Sequence, residues 1–283
     1  MGPIIPPSTL AIIYAALTGV SIGSLFLAGM VPGLLMGLAL MAMNAYLARR
    51  REFKVEETVS LQELPAATTN ALPALLMPAI LLYGIYGGLT TPTEAAAIAA
   101  AYALMLAVFF YRAYTLTSLY QVFVESARSS ASVGLIIGAA LLLNYVVASE
   151  NIPSAIANQL VDLDIHPLVF LLAVNILILL LGALLDATTI ILVILPLFIP
   201  SCRELSIDLI HFGVVAIINC MIGLITPPYG VLLFVINAVT NISLKEIIQE
   251  IWLFLGVLLA ALLVLILSPD IILWLPRMFG YTG

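Results

Sequence analysis

Gly223-Leu224-Ile225-Thr226-Pro227-Pro228-Tyr229 decides the fold, because the same pattern occurs a second time. Gly2-Pro3-Ile4-Ile5-Pro6-Pro7-Ser8 matches it at a shift of 221 residues. One residue of slippage later, Val20-Ser21-Ile22 matches Ile242-Ser243-Leu244, and a long apolar run follows each copy. A Pro-Pro pair cannot sit inside a regular helix, since each ring removes an N–H donor and the second forces its predecessor out of the α region. Both copies lie in charge-free runs, residues 1–48 and 209–244, each too long for one helix. In lipid, carbonyls without intrahelical partners are tolerated only where protein or a water-filled cavity satisfies them. Paired Gly-x-Ile-x-Pro-Pro breaks therefore predict discontinuous helices at a mid-membrane binding site, as in secondary transporters built from repeats. Exposed carbonyls there suit Na⁺, a hard cation, and half-helix N-termini attract an anionic substrate. Two proline kinks that merely bend their helices are the plainer alternative.

Composition agrees with a membrane setting. Of 283 residues, 64% are apolar and only 8% charged, and the mean hydropathy is +1.23. A soluble domain carries about 25% charged residues, so a soluble enzyme, a nucleic-acid binder and a disordered chain are excluded. What remains is an all-α polytopic membrane protein. The net charge of −6 offers no basic patch for nucleic acid. Cys202 and Cys220 lie in apolar sequence and read as core thiols, with no metal-ligand spacing.

A spanning helix needs about 20 residues, and the runs 165–185 and 187–202 do not divide simply into spans. The second is short and contains Pro196, with Asp164 before the pair and Arg203-Glu204 after it. These features predict a re-entrant helical hairpin turning at Leu185-Asp186-Ala187-Thr188-Thr189; two independent spans are the alternative. Arg49-Arg50-Arg51 and Lys54 concentrate basic charge in the loop 49–63, which the positive-inside rule places in the cytoplasm. Apolar residues at 244, 247, 248 and 251, and at 116, 119, 120 and 123, predict amphipathic helices lying in the interface plane. Ser243 and Glu246 form a capping box.

The second repeat begins near Thr90, whereas nothing precedes the first copy. If the repeat is real, roughly 130 residues should precede Gly2, and the hairpin 165–202 lacks its symmetry mate. The chain then reads as the C-terminal portion of a longer protein. Its parts would be 1–20, the remainder of the first broken helix; 21–164, scaffold and arm helices; 165–242, the hairpin and second broken helix; and 243–283, an arm and the last scaffold helix.

Further motifs carry a resemblance. They are Ser21-Ile22-Gly23-Ser24-Leu25-Phe26-Leu27-Ala28-Gly29-Met30-Val31-Pro32-Gly33, Thr91-Pro92-Thr93-Glu94-Ala95-Ala96-Ala97 and His211-Phe212-Gly213. With the two Pro-Pro stretches, in this order, they resemble the large membrane subunit of tripartite ATP-independent periplasmic (TRAP) transporters, within the ion-transporter superfamily. The resemblance covers the whole chain; the family's amino-terminal scaffold helices and first hairpin are missing from it. It implies an inverted-repeat, elevator-type importer of organic anions, such as dicarboxylates or sialic and other sugar acids, driven by Na⁺. It also implies a periplasmic substrate-binding protein, a small membrane subunit, and the inner membrane of a bacterial or archaeal cell. A stand-alone cation-coupled carboxylate symporter is the same-class alternative. The family's first Na⁺ site would keep only one half here, at Gly2, Ile5 and Pro6. The second would be whole, at Thr188, Thr189, Gly223, Thr226, Pro227 and Gly230.

Single residues are weighed on their own chemistry. Asp186 sits at the hairpin turn, where an intramembrane acid is expensive and by default functional; its plain role is an N-cap. Ser8 and Thr9 follow the first Pro-Pro pair and are candidates, with Asp186, to touch substrate. Glu94 completes a capping box with Thr91 and reads as structural. His166 and His211 lie at helix ends near acids and read as satisfied histidines. Asn144, Asn175, Asn219 and Asn237 could line a polar path or simply bond between helices. No catalytic motif is present, and the chain reads as a transporter rather than an enzyme.

Overall fold

The apolar runs fold as helices, and the Pro-Pro pairs stop them. The computed structural model describes residues 3–52 and 64–283, with no strand among them. α1 (Thr9–Thr18) and α2 (Ile22–Arg50) follow the first pair, then come α3 (Leu64–Tyr86), α4 (Pro92–Met105), α5 (Leu116–Ser149) and α6 (Ile152–Asp162). α7 (Pro167–Gly182) leads to a turn at 183–186. After it, α8 (Ala187–Thr189), a π turn (Ile190–Ile194), a 3₁₀ turn (Leu195–Phe198) and α9 (Ile199–Glu204) continue as one uneven rod. α10 (Leu209–Gly223) and α11 (Val231–Thr240) flank the second Pro-Pro pair, and α12 (Leu244–Leu267) and α13 (Pro269–Met278) complete the chain. Five helices among the described residues are long and apolar enough to cross a bilayer. The chain is a multi-pass membrane protein.

Two units are distinguished, residues 51–135 and residues 1–50 with 136–283. In the second of these, α10 is the centre. Every residue from Ile210 through Cys220 is buried, as expected for a helix that is apolar all round and therefore needs neighbours on every side. α1, α2, α7, α12 and α13 pack around it. Tyr14 lies on Gly213, where a Cβ would come within 2.3 Å of the ring, and its hydroxyl donates to the Leu209 carbonyl at 2.7 Å. Asp208 caps α10 by accepting from the Ile210 and His211 N–H groups at 2.8 and 3.0 Å.

In the other unit, α3 and α4 pack together, and the Tyr102 hydroxyl donates to the Pro73 carbonyl at 2.8 Å. Thr91 and Glu94 form the predicted reciprocal box: Thr91 N–H to Glu94 Oε2 at 2.8 Å and Glu94 N–H to Thr91 Oγ1 at 3.3 Å.

The two copies of the repeat fold alike in detail. α1 and α11 are each 10 residues long, and each ends on a left-handed residue, Gly19 (φ 77°) and Asn241 (φ 57°). Thr18 and Thr240, one residue earlier, both donate back to the carbonyl four residues before, at 2.9 and 2.7 Å. Ser21 and Ser243 then accept from the N–H three residues on, both at 3.3 Å, to start the long helices. Pro6-Pro7 and Pro227-Pro228 are both cis.

Two expectations are corrected. The stretches around 116–123 and 244–251 are not separate helices, because each runs unbroken into the apolar sequence behind it, as α5 and α12. No proline interrupts either sequence, so nothing ends the first turns. The hairpin turn lies at 183–186, slightly before the expected 185–189, because Asp186 already caps the second arm by accepting from Thr188 N–H at 2.8 Å. Lys54, most of the basic loop and Gly2 lie outside the described residues.

Candidate functional site

Three elements meet around one cavity of about 610 Å³. The first break and the start of α1 contribute Pro3, Ile4, Pro7, Thr9 and Leu10; the hairpin turn contributes Asp186, Ala187 and Thr188. The second break contributes Met221, Ile222, Leu224 and Ile225, and Leu232 follows at the start of α11. Met36 and Leu40 of α2 and Leu258 of α12 close the wall. No Lys, Arg or His is among the lining residues. Helices start at the wall: Thr9 opens α1, Ala187 opens the second arm, and Leu232 sits in the first turn of α11. Asp186 is the acid on the wall, and its capping and lining roles coexist.

The sequence candidates separate into wall and frame. Thr9, Asp186 and Thr188 are on the wall. Ser8 is not; it is buried, its hydroxyl donates to the Pro3 carbonyl, and it accepts from Ala11 N–H at 3.3 Å. Its oxygen therefore ties the first break to the cap of α1. Ile5 lies against α2, where a Cβ on Gly33 would approach its Cγ1 to 2.5 Å. Pro6 is buried and Thr189 is half-buried behind the wall. Gly223 presses on the hairpin: a Cβ there would be 2.7 Å from the Gly182 backbone. Gly230 takes φ 22° and starts α11 without a side-chain cap.

The second break rebonds much of its own backbone. Ile225 N–H donates to Ile222 O (3.1 Å), Thr226 N–H to Gly223 O (2.9 Å), Gly230 N–H to Thr226 O (3.1 Å) and Leu232 N–H to Leu224 O (3.1 Å). Fewer carbonyls are thus freed than the Pro-Pro pair alone suggests. Among the described residues, no loop or cap hydrogen bond reaches the carbonyls of Ile225 and Pro227. The Thr226 hydroxyl donates to Ile222 O at 2.8 Å, which turns its lone pairs away from that bond and leaves them as acceptor positions.

His166, His211, Asn175, Asn219 and Asn237 each have a hydrogen-bond partner within the fold. His166 caps α7 by accepting from Leu168 N–H at 3.2 Å, and buried His211 pairs its Nε2 with the Leu265 carbonyl at 3.0 Å. Asn219 donates to the Asn175 backbone and side-chain oxygens at 2.6 and 2.9 Å, joining α10 to α7. Asn237 donates to Ile242 O at 2.6 Å. No group of three or more metal-ligating side chains is assembled among the described residues.

Residue-by-residue weighing missed Gly29, Gly33 and Gly182. A Cβ on Gly29 would sit 2.6 Å from the Ile4 carbonyl oxygen, so α2 approaches the first break backbone to backbone. The signal was legible as Gly29-x-x-x-Gly33, a spacing that permits close helix approach in membranes.

Comparison with known proteins agrees with this architecture. The family described as Tripartite ATP-independent periplasmic transporter, DctM component, matches residues 1–271. The chain is 42% identical to the C4-dicarboxylate TRAP transporter large permease protein DctM of Pseudomonas aeruginosa, over all of this chain and 66% of that protein. It is 36% identical to the sialic acid TRAP transporter large permease protein SiaM of Vibrio cholerae, over 99% of this chain and 66% of that protein. With the 2,3-diketo-L-gulonate TRAP transporter large permease protein YiaN of Escherichia coli the identity is 34%, over 96% of this chain and 64% of that protein. The chain thus spans just under two thirds of the length of these relatives. Matched along nearly its whole length, it belongs to the DctM family, the large permease component of tripartite ATP-independent periplasmic transporters.

Proposed function

We propose that the protein containing this chain is the large subunit of a Na⁺-coupled importer of organic anions. A periplasmic binding protein delivers the substrate, and a small membrane subunit completes the complex in the inner membrane of a bacterial or archaeal cell. One observation carries this reading. A single cavity is walled by both Pro-Pro breaks and the hairpin turn, with helix N-termini and no basic side chain facing it. N-terminal dipoles hold an anion without a counter-charge that would trap it. The relatives' names support the substrate class, since C4-dicarboxylate, sialic acid and diketogulonate are all organic acids.

Thr9, Thr188 and Asp186 contact the substrate, with the Asp186 carboxylate accepting hydroxyl hydrogens. Na⁺ sits at the second break, ligated by the Ile225 and Pro227 carbonyls, the Thr226 hydroxyl and oxygens of residues 186–189. The Ile5-Pro6 backbone supplies half of a second cation site. Ligands from separate elements let the ion pin the hairpin against the broken helix, so its binding favours the substrate-competent arrangement by differential affinity. The two repeats are inverted with respect to each other, and the hairpin with both broken helices moves as an elevator against the remaining spans.

The test is uptake of labelled C4-dicarboxylate and sialic acid by proteoliposomes holding the full-length protein and its small subunit. Uptake should need both an inward Na⁺ gradient and the binding protein. Uptake without the binding protein would identify a stand-alone symporter, and no response to Na⁺ would refute the coupling.

A further inference from the structure

The two arms of the hairpin are held in different ways. The first arm, α7, is clamped to α10 by the Gly182–Gly223 contact and by Asn219 bonding to Asn175. The second arm is irregular, passing from a π turn at Ile190–Ile194 into a 3₁₀ turn at Leu195–Phe198. Pro196 lies at the centre of that irregularity. Having no N–H, it can close neither the i→i−5 bond of the π register, to Ile191, nor the i→i−4 bond of an α register, to Leu192. Leu192 is buried, 2% exposed, so its carbonyl needs a donor from elsewhere. Asn144 on α5 supplies it, Nδ2 to O at 3.0 Å across 48 residues of sequence. Beside this bond a cavity of about 350 Å³ separates the arm from α1, lined by Leu195, Pro196 and Ile199 on one side and Tyr14 and Leu17 on the other. The arm, otherwise packed with Ile190, Ile191 and Leu195 buried, borders open space on this side.

We propose that Asn144 is a positioning residue for the transport site. By supplying the hydrogen bond that Pro196 removes, it fixes the second arm at its irregular turn and so holds residues 186–188 on the wall of the large cavity. Without that bond the arm shifts toward the neighbouring cavity and the turn loosens. This role rests on the assignment of the large cavity as the transport site; the hydrogen-bond logic itself can be read without any transport.

The test uses a thiol probe at Leu185, an exposed turn residue, in the full-length protein with cysteines outside this chain replaced by serine. Cys202 and Cys220 are fully buried and stay. The rate at which Leu185→Cys reacts with a soluble maleimide is compared in four backgrounds: parent, Asn144→Leu, Pro196→Ala, and both together. Asn144→Leu should speed labelling about tenfold, the factor expected when one buried carbonyl loses its partner. Pro196→Ala supplies an N–H that reaches Leu192 O once the arm winds in the α register, so the double variant should return to the parent rate. Substrate KM should follow the same pattern, raised in Asn144→Leu and restored in the double variant. Unchanged labelling in Asn144→Leu overturns the proposal, and so does a double variant as fast as the single. If only Asn144→Leu fails to fold, folding of the double variant supports it; failure of both refutes it. A parent that labels as expected but transports nothing would refute the transport reading instead.

Discussion

Over residues 3–11 no loop or cap backbone hydrogen bond closes the first break; the loop is held by the Ser8 hydroxyl on the Pro3 carbonyl and, from outside, by α2, whose Gly29 meets the Ile4 carbonyl. Over the matching residues 224–232 of the second break, Gly230 N–H donates to Thr226 O and Leu232 N–H to Leu224 O, and Gly223, just before them, touches Gly182 of the hairpin. The helices that follow end and resume with the same cap bonds, from Thr18 and Thr240 through Ser21 and Ser243. The Pro-Pro pair therefore dictates that the helix breaks and the capping sequence dictates how it resumes. What holds the break open is decided by the residues between. Thr226 stands where the first copy has Ile5, and Tyr229 where it has Ser8.

This contrast can be broken most forcefully at the glycines. Gly223→Val places a side chain into the Gly182 backbone, and Gly29→Val places one into the Ile4 carbonyl. Each should destabilise by about 3 kcal/mol, the upper range for overpacking, and abolish uptake. Normal uptake by either variant would mean that its close approach is not needed.

A smaller effect separates the two loops. Ser8→Ala removes both a cap and the partner of Pro3, and should destabilise by about 1–2 kcal/mol. Its counterpart Tyr229→Phe, at a residue 61% exposed, should stay within about 0.5 kcal/mol. Thermal unfolding of the detergent-solubilised protein measures both, and equal shifts would erase the distinction. The smallest expected effect tests the likeness. Thr18→Val and Thr240→Val remove hydroxyls bonded to their own helices, so both should lie within about 0.5 kcal/mol of the parent and of each other.

Much of this architecture is legible in the sequence. Charge-free runs interrupted by Pro-Pro gave the break between α10 and α11 and the start of α1 after the first pair, because proline chemistry acts locally and needs no tertiary context. The turn before the second arm was legible in the polar residues at 185–189, and the arm's irregularity in Pro196. The interfacial helices were misjudged because amphipathic spacing marks a face and does not mark an end; α5 and α12 continue where no breaker stops them. The site was legible in part. Asp186, Thr9 and Thr188 line the cavity, but Ser8 turned inward to cap, a competition between hydroxyl roles that spacing does not resolve. Asn144 was readable only as a polar residue in an apolar run. Its partner is a carbonyl, and backbone acceptors leave no trace in sequence.

The central claim, that the second break holds the coupling ion, is tested most directly by uptake against Na⁺ concentration at saturating substrate, in the full-length protein with its partners. Thr226→Val keeps the shape and removes one oxygen, while Pro228→Ala lets the helix close over its carbonyls. Both should raise the Na⁺ concentration for half-maximal uptake, whereas Asp186→Asn should weaken substrate affinity with little change in Na⁺ dependence. An unchanged Na⁺ dependence in both the Thr226 and Pro228 variants would place the ion elsewhere and contradict the account.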